Sequence, residues 1–163
     1  MRQFDPKTLS ANVFQLFDDR WTLITAGTGD RCNTMTASWG GLGVLWNRPV
    51  ATIYVRPQRY TYEFLEQSDW FTLSFFSEDY RDALAYCGSA SGRDGDKFAA
   101  CGLHPVLDGE APYPAEAELV LVCRKRYWND LDPVNMDQVG LEHYPAHDYH
   151  RMYIGEIVKV LVK

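Results

Sequence analysis

The run Asn33-Thr34-Met35-Thr36-Ala37-Ser38-Trp39 gathers small and hydroxyl-bearing side chains in one stretch, between an apolar segment at residues 21–26 and Gly40-Gly41-Leu42-Gly43, which reads as a glycine-rich turn. A backbone so little obstructed can lie against a flat polar ligand and offer it N–H groups and hydroxyls. Farther along, Arg59-Tyr60-Thr61 supplies a guanidinium and a hydroxyl two positions apart, donors that suit a phosphate. One planar, phosphorylated cofactor satisfies both halves, and flavin mononucleotide (FMN) has that shape and charge.

Strands must position these groups. Residues 21–26 and Val50-Ala51-Thr52-Ile53-Tyr54-Val55, the latter bounded by Pro49 and Pro57, have strand composition. Residues 70–76 alternate, with Phe71, Leu73 and Phe75 on one side and Thr72 and Ser74 on the other. Residues 119–123 are continuously apolar, as in a strand buried on both faces, and run on to Trp128. Residues 152–162 alternate with Met152, Ile154, Val158, Val160 and Val162 in phase. Many strands between turn signals spell a barrel or sandwich.

Helices are fewer. Ser77 is placed to cap a helix whose face is Tyr80, Ala83, Leu84 and Cys87 and which Gly88 ends. Thr61 is placed to cap a short helix through Glu66, and residues 96–100 form another. A weak helical pattern covers residues 7–17, and residues 104–116, with three prolines, read as a loop.

The 163 residues suit a single domain spanning 1–163, large enough to fold without a staple. A net charge of −6 argues against nonspecific nucleic-acid binding, which needs clustered cations. No run of 18 apolar residues and no signal-like N-terminus occurs, so no membrane partner and a cytoplasmic location are expected. Cys32, Cys87, Cys101 and Cys123 make no C-x-x-C pair and read as small buried hydrophobes, with Cys32 bordering the Asn33 segment. Five Trp, ten Tyr and eight Phe exceed what a small core easily hides, so some belong at an interface or beside a ring-shaped ligand.

Standard nucleotide motifs fail. Gly27-Thr28-Gly29-Asp30-Arg31-Cys32 and Gly41-Leu42-Gly43-Val44-Leu45-Trp46 each lack the third glycine of a dinucleotide fingerprint. In Gly88-Ser89-Ala90-Ser91-Gly92-Arg93-Asp94-Gly95-Asp96-Lys97, Arg93 stands where a phosphate loop needs glycine. His147 and His150 have H-x-x-H spacing, but without a thiol or carboxylate cluster no metal is expected. Bland alternatives exist for each signal. Asn33 to Ser38 suits an edge strand facing water, Arg59 a solvated turn, Ser91 to Lys97 a polar loop capped by Asp94 or Asp96, and Trp39 and Trp46 a core or interface.

Five motifs occur together in one order. They are Asn33-Thr34-Met35-Thr36-Ala37-Ser38-Trp39, Trp46-Asn47-Arg48-Pro49, Arg59-Tyr60-Thr61, Ser91-Gly92-Arg93-Asp94-Gly95-Asp96-Lys97-Phe98, and His150 ahead of Tyr153-Ile154-Gly155-Glu156-Ile157. From about residue 20 to the C-terminus the chain thereby resembles the flavin reductase-like proteins, a group that includes the flavoredoxins. The resemblance implies an all-β, FMN-binding split β-barrel of Greek-key type with a few short helices. It also implies a homodimer with flavin sites near the subunit interface. It implies a flavin reductase or FMN-dependent oxidoreductase, drawing electrons from NADH, NADPH or another donor. The alternative it leaves is a non-catalytic FMN electron carrier serving a protein partner.

Residue by residue, the resemblance assigns Thr36, Ala37 and Ser38 to the isoalloxazine, with Met35 and Trp39 flanking them. Arg59 and Thr61 match the phosphate turn, and Lys97, with Ser91 and Gly92 before it, matches the basic residue reaching the phosphate or ring edge. His150 matches a histidine at the rim and is the one candidate catalytic residue. Residues 129–149 match nothing in the group and are left to shape the substrate face. Hydride transfer would be the flavin's own chemistry, so few acid or base side chains are needed.

Overall fold

Alternation decides where the core lies. The computed structural model describes residues 1–28, 31–107 and 109–163; Gly29 and Asp30, of the failed dinucleotide motif Gly27 to Cys32, and Asp108 lie outside the described residues. The strands are β1 (Arg2–Phe4), β2 (Thr22–Thr28), β3 (Arg31–Ala37), β4 (Gly40–Leu45), β5 (Arg48–Val55), β6 (Trp70–Phe75), β7 (Pro105–Leu107), β8 (Pro112–Pro114), β9 (Leu119–Asp130) and β10 (Arg151–Val162). The α-helices are α1 (Tyr60–Gln67), α2 (Arg81–Ser89), α3 (Lys97–Ala100) and α4 (Gln138–Leu141). None is long and apolar enough to cross a membrane.

The main sheet is antiparallel, in the order β3-β2-β6-β9-β10-β5-β4. β5 and β6 are consecutive in sequence yet lie three places apart, which is the Greek-key crossing. The far half of β10 pairs with β1 instead of β5. Strands from both ends of the path share one core: Ile24, Met35, Ile53, Phe71, Leu121 and Tyr153 all belong to it. The path is therefore rolled around an interior, while its ends, β3 and β4, do not pair with each other among the described residues. This is the split barrel that the resemblance implied. The other faces of β2, β6 and β9 form a second core with α2, α3 and β8, through Leu23, Val120, Val122, Leu84, Phe98 and Tyr113. That is why β6 is buried on both faces.

Four local expectations need correction. Gly40 to Gly43 is not a turn but strand β4, paired with residues 50–53 of β5. Glycine is required at Gly40, where a Cβ would press into the Phe17 ring. The turn begins three residues later, where Trp46 and Asn47 both have positive φ, as the I′ turn that matches strand twist requires. Gly88 does not end its helix; α2 continues to Ser89. Ser77 and Thr61 do not cap helices through their side chains. The Ser77 hydroxyl meets Asp79, and Arg59 occupies the cap position of α1. The β10 alternation is not one face: Tyr153, Gly155 and Ile157 are buried, Val158 is exposed, and Val160 is buried again. Bulges at Ile154/Gly155 and Ile157/Lys159 reset the phase.

Residues 7–17 hold part of a 3-10 turn at Pro6–Thr8 and, from residue 13, a short helical stretch that runs into the π-helix Gln15–Asp19, so the helical pattern is met only at its end. The 104–116 loop contains the small β7–β8 hairpin. Asp96, as expected, caps α3 by accepting from the Phe98 and Ala99 N–H groups.

Candidate functional site

β3 ends the strand path, so one of its edges has no strand neighbour among the described residues. α2 packs along it, and the Thr36 hydroxyl donates to the Leu84 carbonyl at 2.5 Å. Beyond β3 the chain leaves a groove of three connected hollows. The first, about 180 Å³, is lined by residues 35–39 together with Tyr54, Arg56 and His150. The second, about 320 Å³, shares Thr36 and Ser38 with the first and reaches Gly88 and Ser89. The third, about 170 Å³, shares Ser89 with the second and is lined by Arg59, Thr61, Ser91, Gly92 and Lys97. Every sequence-predicted site residue therefore lies on one groove, in two groups at its ends.

The far end holds one buried and one half-buried cation, Lys97 and Arg59. Lys97 opens α3, and only 4% of it is exposed. Its Nζ donates to Thr34 O and Cys87 O, both at 2.8 Å. Arg59 donates from Nη1 to Gly88 O at 2.8 Å and from Nη2 to Cys87 O at 3.4 Å. Both thus seat on carbonyls at the C-terminus of α2, where cations are favoured. Among the described residues neither meets a carboxylate. Burial, and then the nearby Arg59 charge, push the Lys97 ammonium down to about 8. Burial likewise lowers Arg59 from its ordinary value.

Supporting groups complete this end. Thr61 is fully buried and accepts from Asn33 Nδ2 at 2.8 Å, which leaves its own O–H to donate. Gly92 packs against the Asn33 carboxamide and the Tyr60 ring, so any Cβ there would collide with them. The Ser91 hydroxyl accepts from the Arg93 N–H at 3.2 Å.

The near end is aromatic. Trp39 lies 5.3 Å, ring to ring, from both His143 and His150. His150 is 8% exposed, and its Nδ1 lies 2.8 Å from the Tyr144 hydroxyl. Burial, then the Arg56 charge, hold its imidazole down at about 4, so it is neutral at pH 7. In the tautomer in which Tyr144 donates to Nδ1, the ring proton is on Nε2, which has no hydrogen-bond partner among the described residues. His147 faces elsewhere, bonded through Nδ1 to the Tyr149 hydroxyl at 2.9 Å.

Sequence reasoning assigned no role to Arg56, Tyr54, Gln58 or His143. Arg56 pairs with Asp148 at 2.5 Å, donates to His143 O at 2.9 Å and sits 5.1 Å over the Tyr144 ring. Gln58 donates to the same Asp148 oxygen at 2.6 Å. These donors, Arg56 first, hold the Asp148 carboxyl below its ordinary value. Arg56 ties residues 143–150 to the end of β5, and so carries part of the unmatched 129–149 stretch over Trp39. Its signal was its place three residues before Arg59; its partner Asp148 gave none. A further hollow, about 450 Å³ between Tyr62, residues 129–133 and Tyr149, is lined by none of the predicted site residues.

The site is thus an edge strand leading from an aromatic rim to one buried and one half-buried cation that meet no carboxylate among the described residues. The model of the flavin reductase like domain matches residues 14–163, and the chain belongs to that family. Among solved structures, it is similar to a flavoredoxin of Desulfovibrio vulgaris (Miyazaki F), with 28% identity, TM-score 0.70, covering 88% of this chain and 69% of that one. It is also similar to an FMN-binding protein from Thermus thermophilus, with 20% identity, TM-score 0.72, covering 100% and 82%. An NADH:FAD oxidoreductase of Streptomyces globisporus C-1027 matches with 21% identity, TM-score 0.66, covering 88% and 75%. No curated protein matches the chain.

Proposed function

We propose that the protein is an FMN-dependent oxidoreductase of flavin reductase type, working as a homodimer and moving electrons from NADH or NADPH to a flavin or another acceptor. The observation that carries this reading is the Arg59–Lys97 pair. A buried ammonium beside a half-buried guanidinium, with no carboxylate among the described residues, is repelled by it and holds a cost that an anion would relieve. A phosphate fits that need, and the groove leading from it to residues 35–39 fits a flat ring system. FMN, when bound, supplies the two-electron chemistry.

The chain supplies the rest. Lys97, Arg59, the Thr61 hydroxyl and the Ser91–Gly92 turn hold the phosphate. Met35 to Trp39 face the ring with backbone and small side chains. Trp39 and Tyr144 shield the rim from water. His150, neutral at working pH, offers its Nε2 proton to a nicotinamide amide or a substrate carbonyl. The donor and acceptor enter over residues 129–149.

An anaerobic titration tests the reading. Protein loaded with FMN should lose its yellow absorbance on adding NADH or NADPH, and His150→Ala should lower kcat/KM for the nicotinamide without releasing FMN. Bound FMN that neither nicotinamide bleaches within minutes overturns the reductase reading. The electron carrier, favoured by the 28% identity to a flavoredoxin, then takes its place.

A further inference from the structure

Cys87 and Cys101 stand fourteen positions apart in sequence, with no motif linking them, yet their Sγ atoms lie 3.7 Å apart. Cys87 is fully buried in α2; Cys101, half-buried, follows α3 and points its thiol at Ala83 O, 3.7 Å away. Neither thiol has a part in the function proposed above. Both residues, however, hold the cation pair through their main chains. The Cys87 carbonyl accepts from Lys97 Nζ and from Arg59 Nη2. The Cys101 N–H donates to the Lys97 carbonyl at 3.1 Å. The two thiols thus sit on the two pieces of backbone between which Lys97 is strung.

We propose that Cys87 and Cys101 form a reversible intramolecular disulfide, a modification site that disturbs the Arg59–Lys97 anion cradle when oxidised. A disulfide draws its sulfurs to about 2 Å, so the present 3.7 Å gap closes by roughly 1.7 Å. That movement falls on the C-terminal turn of α2 and on the residue after α3. Hydrogen bonds of 2.8 Å at Lys97 weaken steeply when their acceptors move by a fraction of that distance. The bond's formation does not depend on the functional reading; its effect on FMN rests on it.

Hydrogen peroxide is a sufficient oxidant. The more accessible Cys101 sulfur attacks one peroxide oxygen; an S–O bond forms, the O–O bond breaks and one water leaves, giving a sulfenic acid. The Cys87 sulfur then attacks the Cys101 sulfur. The S–S bond forms, the S–O bond breaks, and the departing oxygen leaves as a second water with the Cys87 proton. Two thiols lose two electrons and two protons, and one peroxide becomes two waters. Burial, with Cys101 adjacent, pushes the Cys87 thiol up to about 12. It is therefore a resolving group rather than a first nucleophile. Cys123 is fully buried and Cys32 has no thiol neighbour among the described residues, so neither competes for the bond.

The test treats the full chain, with and without FMN, with hydrogen peroxide under native conditions, and reads intact mass, thiol mapping and FMN affinity. We expect a loss of about 2 Da, mapped to a Cys87–Cys101 link. We also expect FMN binding weakened about tenfold, with dithiothreitol restoring both. Cys101→Ala and Cys87→Ala, at a half-buried and a buried position, should each abolish the mass loss, and their FMN affinity should ignore peroxide. Oxygen added to Cys101 with no link overturns the disulfide. A link that leaves FMN affinity unchanged overturns the coupling. Reduced protein that binds no FMN at all sinks the functional reading instead, and the mass and thiol map then decide the disulfide alone.

Discussion

β3 and β4 stand at opposite ends of the same strand path, yet one edge is finished by the chain's own groups and the other is bare. At β3, Lys97 reaches the Thr34 carbonyl, Asn33 holds Thr61, and α2 covers what remains. At β4, Gly41 and Gly43 face open space, Val44 is 77% exposed and Trp46 is 62% exposed. Beside them an apolar hollow of about 380 Å³ is lined by Leu9, Val13, Leu42, Val44 and Pro49. A flat apolar edge of that kind aggregates unless something covers it. The difference shows two treatments of unpaired backbone; under the proposed function the covered edge would receive the flavin, and the bare edge would meet a second copy of the chain.

The largest expected effect tests the bare edge. Val44→Asp puts a charge where the homodimer would bury an apolar side chain. An uncompensated buried charge costs about 3–5 kcal/mol, so the dimer should weaken more than roughly a hundredfold. Light scattering should give twice the chain mass of 18.7 kDa for the wild type and a single chain mass for the variant at micromolar concentration. A wild-type monomer fully loaded with FMN breaks the comparison at this end.

At the covered edge, Lys97→Ala should weaken FMN about 10- to 100-fold, the worth of one charge-assisted hydrogen bond at roughly 1.5–3 kcal/mol. Riboflavin, which lacks the phosphate, should bind the variant and the wild type nearly alike. Equal losses for the two ligands would mean that Lys97 only seats α2.

What was legible in the sequence follows from which forces act locally. Phe71, Leu73 and Phe75 were readable because a strand repeats every two residues and their burial is complete. The same rule misled at β10, where two bulges shift the register without any mark that a periodicity can carry. Gly40 to Gly43 read as a turn because glycine is a local breaker; the ladder to β5 and the Phe17 ring above Gly40 are long-range facts. Gly88 misled for a similar reason, since the C-terminus of α2 is fixed by Arg59 and Lys97 from distant positions. The two cations were readable as members of motifs, but not as neighbours, and their shared seat on the Cys87 carbonyl was invisible. Arg56 was missed because its role is set by Asp148, far away in sequence.

The smallest expected effect is a pH dependence, and its two signs oppose each other. Burial holds the folded Lys97 at about 8, against an ordinary 10.5. Between those values the unfolded chain binds the extra proton, so Lys97 makes the ligand-free protein more stable as pH rises from about 8 to 10.5. FMN needs the charged ammonium, and its phosphate is already a dianion above pH of about 6. Its affinity should therefore fall as pH rises, by about fourfold between roughly pH 7 and 8.5 if the free group titrates near 8. Riboflavin affinity should stay level across that range, and Lys97→Met should flatten the FMN curve. His150, held at about 4 against an ordinary 6.5, acts in a separate window, where acidification below 6.5 costs stability because only the unfolded imidazole gains a proton. An FMN affinity that declines with pH while the melting temperature of the free protein climbs would mark a cation kept at a cost for an anion to relieve. Parallel curves for FMN and riboflavin would return Lys97 to the role of a helix cap and leave the covered edge without its ligand.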